Sequence, residues 1–288
     1  MPSFMVNTKM TEMIEQYDLH CHSLASDGSL TPTELVIRAK EMGVTSLALT
    51  DHDTINGQQE ARVAAGNHAI NFIPGIEIST TWENKCFHIV GLNIDPEHKG
   101  LCQGIKGLQT LREERAKKIA FKLEKKSIPG AYEAVIKAAK GGMVTRAHFS
   151  SYMLAQNYVS TRQEAFDRYL GQGKPAFVST VWADLAEAIG WINKAGGVAV
   201  VAHPLRYKMT ASWMRRFLSF FKAAGGQGIE VVTGRSNADE IRRAMIYAKQ
   251  YDLAASIGSD FHTPDNKWVE LGRLAPLPTN ITPVWGLF

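Results

Sequence analysis

Tyr17-Asp18-Leu19-His20-Cys21-His22 closes a short apolar run with two histidines at i and i+2. Ser259-Asp260-Phe261-His262, near the other end of the chain, repeats that spacing with an acid and a histidine. On an extended strand the spacing puts both side chains of a pair on one face. Two such pairs this far apart in sequence are what a closed sheet can bring to one mouth. Further candidates lie between them: Asp27, Asp51-His52-Asp53, Glu77, His88, His148 and His203. Seven of the nine histidines belong to this series, and only His68 and His98 stand outside it. Imidazole and carboxylate without thiolate suit Zn, Mn or Fe.

The pattern around these residues is α/β. Strand-like runs cover 16–22, 45–50, 70–78, 86–94, 198–202, 229–232 and 254–258, and most end in polar chemistry. Thr31-Pro32-Thr33-Glu34 is a capping box with proline at the first helical position, and Gly43 closes that helix. Further helices are expected over 182–195 and from Asn237 to about Tyr251. Strands alternating with helices imply a mostly parallel sheet with its site at the carboxyl ends of the strands. Glu83-Asn84-Lys85 between two strand-like runs predicts a hairpin that breaks the alternation there. Residues 101–170 read instead as a series of helices, 101–126, 131–140, 147–156 and 161–170. The expected organisation is a barrel domain over 16–100 and 171–275, interrupted by a helical insertion domain over 101–170. Residues 1–15 read as a poorly ordered lead.

Composition narrows the setting. A chain of 288 residues is long enough for one barrel-sized domain with an insertion. A net charge of +4 fits an anionic substrate without specifying one. Three cysteines, Cys21, Cys86 and Cys102, form no zinc-finger spacing and no even disulfide set, which favours a reducing compartment. Cys21 faces away from its histidine neighbours and is read as packing. The first residues lack the apolar run of a secretory signal, and no stretch approaches membrane-spanning length. The expected location is the cytoplasm, with no membrane association and no obligate protein partner.

A lone histidine is more often structural than ligating, but repeated delivery of His, Asp and Glu to strand ends is costly unless cations neutralise the cluster. The motifs together resemble the PHP (polymerase and histidinol phosphatase) superfamily: His20-Cys21-His22 with Ser26-Asp27-Gly28, Thr50-Asp51-His52-Asp53, Gly75-Ile76-Glu77, His88, Arg146-Ala147-His148, Ala202-His203-Pro204 and Ser259-Asp260-Phe261-His262, in order along nearly the whole chain. The resemblance implies a distorted (β/α)7 barrel with a mainly helical insertion and a trinuclear metal centre. By the same resemblance one ion takes His20, His22, Glu77 and Asp260. A second shares Glu77 and adds His88 and His148. The third takes Asp27, His52 and His262. The oxygen ligand Asp27 favours Mn2+, with Fe2+ or Zn2+ as alternatives.

Within that family, the Ser-Asp-Gly-Ser stretch, the short spacing from Glu77 to His88 and the insertion resemble bacterial 3',5'-nucleoside bisphosphate phosphatases and exoribonucleases of the RNase AM type. The resemblance implies release of phosphate from bisphosphates and nucleotides, and degradation of short RNA or RNA ends 5' to 3', by metal-hydroxide attack on phosphorus; a nucleotide or short RNA is the expected partner. Arg146 is the candidate phosphate clamp. His203 is the candidate donor beside the scissile phosphate. Asp53 is read as orienting a histidine. Lys85, Arg206 and Arg235 are candidate contacts for a second phosphate, and Trp82, Trp182 and Tyr207 for a base. The charged stretch Arg112 to Lys126 reads as a solvated helix face. Three other readings compete: a phosphatase for a small metabolite such as histidinol phosphate; an amidohydrolase, which usually carries a carboxylated lysine where Glu77 stands; and a binding module that has lost its ligands.

Overall fold

The computed structural model describes residues 15–288, so all but the last residue of the lead lies outside the described residues. Seven strands form a nearly closed barrel in chain order: β1 (Tyr17–Asp18), β2 (Ser46–Leu49), β3 (Asn71–Trp82), β4 (Lys85–Leu92), β6 (Val198–Val201), β7 (Gly228–Thr233) and β8 (Ala254–Gly258). The two-residue β5 (Ala183–Asp184) lies off this path, parallel to the end of β3. Pairing is parallel except around β4, which runs antiparallel to both β3 and β6. The hairpin between β3 and β4 turns on Glu83 and Asn84, both at positive φ (44° and 60°), as a two-residue turn matched to strand twist requires. Closure comes from β1 meeting β8: the Leu19 N–H donates to Ile257 O at 3.0 Å, and Cys21 bridges Phe261.

Period-two alternation divides the barrel. Inside, Leu19, Ala48, Ile73, Val90, Leu92, Val198, Val200 and Ala254 pack as one apolar plug. Moving two residues at a time toward the mouth, the same inward faces turn polar. Ile73 is followed by Glu77, Leu92 and Val90 by His88, and Gly228 by Glu230, whereas the outward residues Ile76, Ile78, Ile89, Val201 and Ile229 join the helix-facing core. The plug closes the floor, and the ligand-type residues sit above it.

Helices cover the outside. α1 (Pro32–Glu41) starts with the capping box of Thr31 and Glu34. α2 (Gln58–Asn67), which propensity did not single out, starts at Gly57 with no side-chain cap, and α1 and α2 bury a separate apolar cluster against β2. Four helices follow β4: α3 (Lys99–Glu124), α4 (Ala131–Ala139), α5 (Arg146–Ala155) and the short α6 (Arg162–Ala165). α6 runs into a π-helical turn over Phe166–Leu170 where one continuous helix was expected. These segments bury a cluster of their own that includes Ile119, Leu123, Val135, Phe149, Met153 and Leu170. α7 (Leu185–Lys194), α8 (Ala211–Ala223) and α9 (Ala238–Gln250) complete the shell. The sequence reading passed over α8, although Thr210 caps it and Met214, Phe217, Leu218 and Phe221 mark its buried face. No helix among the described residues is long and apolar enough to cross a membrane.

Barrel closure depends on one close approach. A Cβ on Gly258 would meet His20 Cβ at 2.2 Å and the His20 backbone N at 2.7 Å. Gly258→Ala is expected to push β8 off His20, lowering stability by about 1–3 kcal/mol in a denaturant titration and reducing bound metal; unchanged stability and unchanged metal content would contradict this packing.

Candidate metal centre

The two sequence pairs meet. His20 and His22 present their Nε2 atoms 3.2 Å apart, and Asp260 Oδ1 lies 3.3 Å from His22 Nε2 and 3.6 Å from His20 Nε2. Glu77 Oε2 lies 3.4 Å from each Nε2. Two donor atoms each bonded at about 2.0–2.2 Å to one tetrahedral ion would stand about 3.4 Å apart. The three atoms of His20, His22 and Glu77 therefore already have the spacing of a shared ion's ligands.

Three overlapping groups could hold metal: His20 with His22 and Glu77; His52 with Glu77 and His88; and His22 with Asp27, His52 and His262. Each pair of groups shares one residue. This differs from the expected partition: His22 also joins the group of Asp27, His52 and His262, and Asp260, expected with His20, His22 and Glu77, enters none of the three although it lies 3.3 Å from His22 Nε2. His52 joins Glu77, its Nδ1 2.8 Å from Oε2, in the group where His148 was expected. His148 enters none of the three groups: it is the third residue of α5, and its Nδ1 accepts the Thr145 N–H at 3.1 Å as part of the helix cap. Asp27 and His262 do come together, at 3.3 Å, and Thr145 Oγ1 donates to Asp27 at 2.8 Å.

The outer contacts set which ring atoms face the cluster. His20 Nδ1 lies 2.6 Å from Glu230 Oε1 and donates to it, so Nε2 is the ring nitrogen that faces the cluster and is free to ligate once its own proton is displaced. The other Glu230 oxygen accepts the His203 N–H. Glu230 is the principal residue that sequence reasoning missed. It had been placed on a strand but given no role, and its only signal was a lone acid at an inward position of an apolar strand. Asp53, expected to orient a histidine, instead accepts the Ser79 N–H at 2.7 Å and Arg112 Nε at 2.6 Å. Its positive φ of 49° goes with this turned-away carboxylate. Asp51 accepts from Ser23 and Ser26, which pins the loop that carries Asp27. Asp18 accepts the Ser259 and Gly272 N–H groups, at 2.8 and 2.9 Å, fastening the first ligand strand to the last.

His203, at φ 32°, directs Nε2 to within 3.1 Å of Glu77 Oε1. Arg206 pairs with Asp260. Two cavities flank the cluster. One, of about 1090 Å³, is lined by His203, Arg206, Arg235, Asp260 and His262 among others. The second, of about 490 Å³, is lined by His52, His88, Lys85 and Arg146 among others. Trp82 is packed among Phe87, Trp213, Phe217 and Phe220, away from both cavities, whereas Trp182 and Tyr207 line the smaller cavity, the Tyr207 hydroxyl accepting the His88 N–H at 2.8 Å.

Electrostatics marks the cluster as a cation site. Burial opposes charge throughout, yet Glu77 stays well below the usual carboxylate range because His52, His88 and His20 surround it. Asp27 stays low through His262 and His52. His20 is held well above its ordinary value, against burial, by Glu230, Glu77 and Asp260. His88 rises to about 10 through Glu77, and His262 to about 9 through Asp27, both against burial. His22 is pushed down to about 3 by burial and by His262. Protons on these imidazoles occupy the role that metal charge would fill. Within the cluster, His22 Nδ1 is buried without a hydrogen-bond partner among the described residues, and Glu77 Oε2 and His52 Nδ1, though 2.8 Å apart, do not meet in hydrogen-bond geometry, as atoms arranged around a shared cation would not.

The PHP domain model matches residues 18–234, which spans the first ligand pair, the insertion and His203. The chain belongs to the PHP domain family. Among curated members it is 50% identical over 276 residues to a Haemophilus influenzae 5'-3' exoribonuclease, covering 96% of this chain and all of that protein. It is 41% identical over 269 residues to a 3',5'-nucleoside bisphosphate phosphatase of Chromobacterium violaceum, covering 93% and 94%. A solved Chromobacterium violaceum structure described as an amidohydrolase with bound SO4 and no metal superposes on this PHP domain with a TM-score of 0.90 at 41% identity, over 94% of this chain and 95% of that one.

Two outcomes test the centre. Glu230→Gln should weaken metal affinity by about 10–100-fold, measured by metal analysis after dialysis, because the His20 proton loses its acceptor. Metal uptake at pH 7–8 should release protons, read by calorimetry in buffers of different ionisation enthalpy, since His88 and His262 must shed theirs to ligate. The sign for the metal-free protein follows: raised histidine values add stability that is full below about 6.5 and is lost as pH climbs through 9 to 10. Uptake without proton release would contradict the assignment.

Proposed function

We propose that this protein is a metal-dependent phosphohydrolase that releases phosphate from 3',5'-nucleoside bisphosphates and nucleotides and degrades short RNA or RNA ends 5' to 3'. The observation that carries the reading is the set of three overlapping ligand groups at one barrel mouth, in a chain 50% and 41% identical to an exoribonuclease and a bisphosphate phosphatase. Three ions, with Mn2+ favoured over Fe2+ or Zn2+, would be held by His20, His22, Asp27, His52, Glu77, His88, Asp260 and His262. His148, two residues from Arg146, would join them if α5 gave up its cap contact. Such cations supply Lewis acidity toward phosphoryl oxygens and an acidified water.

The chain's own residues then have these parts. Glu230 keeps the His20 lone pair aimed inward. Charge building on the equatorial phosphoryl oxygens is met by Arg146 from one cavity and by Arg206 from the other. Arg206 is shared with Asp260, so it can pivot only as far as that pair allows. His203, beside Glu77, is placed to hand a proton to the leaving oxygen. Asp53 serves by fastening Arg112, and Arg235 lines the larger cavity, where it would meet a longer substrate. The sulfate bound in the Chromobacterium violaceum structure supports an anion site in this fold. The amidohydrolase reading is disfavoured because Glu77 occupies the place of the carboxylated lysine. The unpaired cysteines are in keeping with a cytoplasmic location.

The test is a comparison of rates on adenosine 3',5'-bisphosphate, AMP, a 5'-phosphorylated RNA pentamer and histidinol phosphate, using Mn-loaded protein. Phosphate release from the nucleotides but not from histidinol phosphate is expected, together with loss of at least about 10³-fold in His20→Ala and Asp260→Ala at unchanged circular dichroism. Full activity after metal stripping, or a preference for histidinol phosphate, would overturn the reading.

A further inference from the structure

The turn that follows the last ligand pair holds an indole out in water. Trp268 is 80% exposed, more than any other large apolar side chain among the described residues. Tryptophan has a great deal of apolar surface to hide and is well buried on average. Trp268 does not sit on a loose tip. The Asp265 N–H donates to Thr263 Oγ1 and the Asn266 N–H to Thr263 O, both at 3.2 Å. The Trp268 N–H donates to Asn266 Oδ1 at 3.2 Å and the Val269 N–H to Asn266 O at 3.1 Å. Val269 and Leu271 then bury the chain again, and a Cβ on Gly234 would meet Val269 Cγ1 at 3.1 Å. A fastened turn, packed beside Gly234 and Arg235, thus keeps the indole in solvent.

That turn borders the larger cavity. Asn266 and Val269, on either side of Trp268 in sequence, line it together with His203, Asp260 and His262 of the cluster. Its volume of about 1090 Å³ exceeds the roughly 300–1,000 Å³ usual for one small ligand. Two exposed cations, Arg162 from the insertion and Arg235 from the barrel, face it. Most acids on the same wall are engaged elsewhere: Glu240 accepts the Asn237 N–H in the α9 cap, Asp260 pairs with Arg206, and Glu230 holds His20 and His203. An elongated space that starts at the reaction centre, carries unmatched positive charge and ends beside an exposed ring has the makings of a single-strand track: charge for the backbone, a flat face for a base.

We propose that Trp268 is a stacking platform for a base of single-stranded RNA on the far side of the scissile phosphate, which makes it a specificity-determining residue for oligonucleotides over mononucleotides. The proposal rests on the exoribonuclease part of the reading above. A scissile phosphodiester carries a nucleoside on each side. With the terminal nucleotide on the side of the smaller cavity, the rest of the strand runs through the larger one, its phosphates past Arg235 and Arg162, and a base beyond the cavity meets the indole. A mononucleotide is too short to reach it. Trp268 acts by binding, with no bond made or broken at it.

The experiment compares wild type with Trp268→Ala and with Trp268→Phe, which keeps a ring. The substrates are a 5'-phosphorylated RNA pentamer, the same pentamer with its three middle bases removed, and adenosine 3',5'-bisphosphate. Binding of the two pentamers to metal-free protein is read by fluorescence anisotropy, and self-association by sedimentation. Trp268→Ala should lower kcat/KM on the intact pentamer about ten-fold, chiefly through KM, weaken its binding by a similar factor, and leave the bisphosphate within about two-fold. Trp268→Phe should keep most of the wild-type value. The abasic pentamer should be a poorer ligand for wild type but not for Trp268→Ala. An equal fall on pentamer and bisphosphate, an unchanged pentamer, or the same abasic penalty in wild type and Trp268→Ala would overturn the platform. So would a wild type that self-associates through Trp268 while pentamer binding is unaltered, since the indole would then cover a second copy of the chain. If wild type turns over the bisphosphate but neither cleaves nor binds the pentamer, the platform falls and the phosphatase reading stands. If wild type hydrolyses neither, the phosphohydrolase reading fails; Trp268-dependent pentamer binding would still support the platform, and its absence would remove both.

Discussion

Glu77 is a fully buried carboxylate with His52 Nδ1 at 2.8 Å, His88 Nδ1 at 3.0 Å and His203 Nε2 at 3.1 Å. A carboxylate so placed is affordable only while positive charge surrounds it, whether as protons on imidazole or as metal. That requirement reaches outward. The imidazoles come from different strands and loops, so the barrel must close for them to converge. Closure in turn rests on Leu19 meeting Ile257 and on the missing side chain at Gly258. The apolar plug below and the polar mouth above are one alternating pattern read at two heights.

Around this centre lies a layer of groups that hold the ligands rather than supply them. Asp18 ties the first ligand strand to the last, Asp51 fixes the loop bearing Asp27, Glu230 selects the His20 tautomer, and Asp53 fastens α3 to β3 through Arg112 and Ser79. Burial pushes Asp18 and Asp51 up to about 6, so their donors from Ser259, Gly272, Ser23 and Ser26 matter as compensation. The same logic, reversed in sign, appears at Arg115 of α3 and Arg146 of α5, half-buried cations that form no ion pair among the described residues. The molecule balances its charges nearly everywhere at the mouth except along the face turned to the smaller cavity.

Much of this was readable in the chain because ligand chemistry leaves a spaced pattern at strand ends. The seven main strands, the capped α1 and α9, the glycine-closed α7 and the hairpin at Glu83-Asn84 all follow from local rules that tertiary packing reinforces. What local rules could not show was partnership. Glu230 is a single acid in an apolar strand until His20 is seen beside it. Asp53 precedes no visible partner, and only the fold brings Arg112 across 59 positions to meet it. The charged stretch of α3 looked solvated because acids and bases alternate in sequence. Wound into a helix, Arg112 and Arg115 share a flank with Leu108, Ala116 and Ile119, and that flank turns inward. α2 stayed hidden because no side chain caps its start.

The antiparallel course of β4 has its own consequence. Every neighbouring strand delivers its chemistry by ending at the mouth, whereas His88 arrives from a strand that begins there and descends. Its facing is decided by a count: Ser79 opposite His88, Trp82 opposite Lys85, and two left-handed residues between. An insertion or deletion of one residue in that surface turn would rotate the imidazole to the helix side of the sheet and bring Phe87 or Ile89 to the cluster. A solvent-facing bend thus acts as the gauge for a buried ligand, and its length is as constrained as the histidine itself.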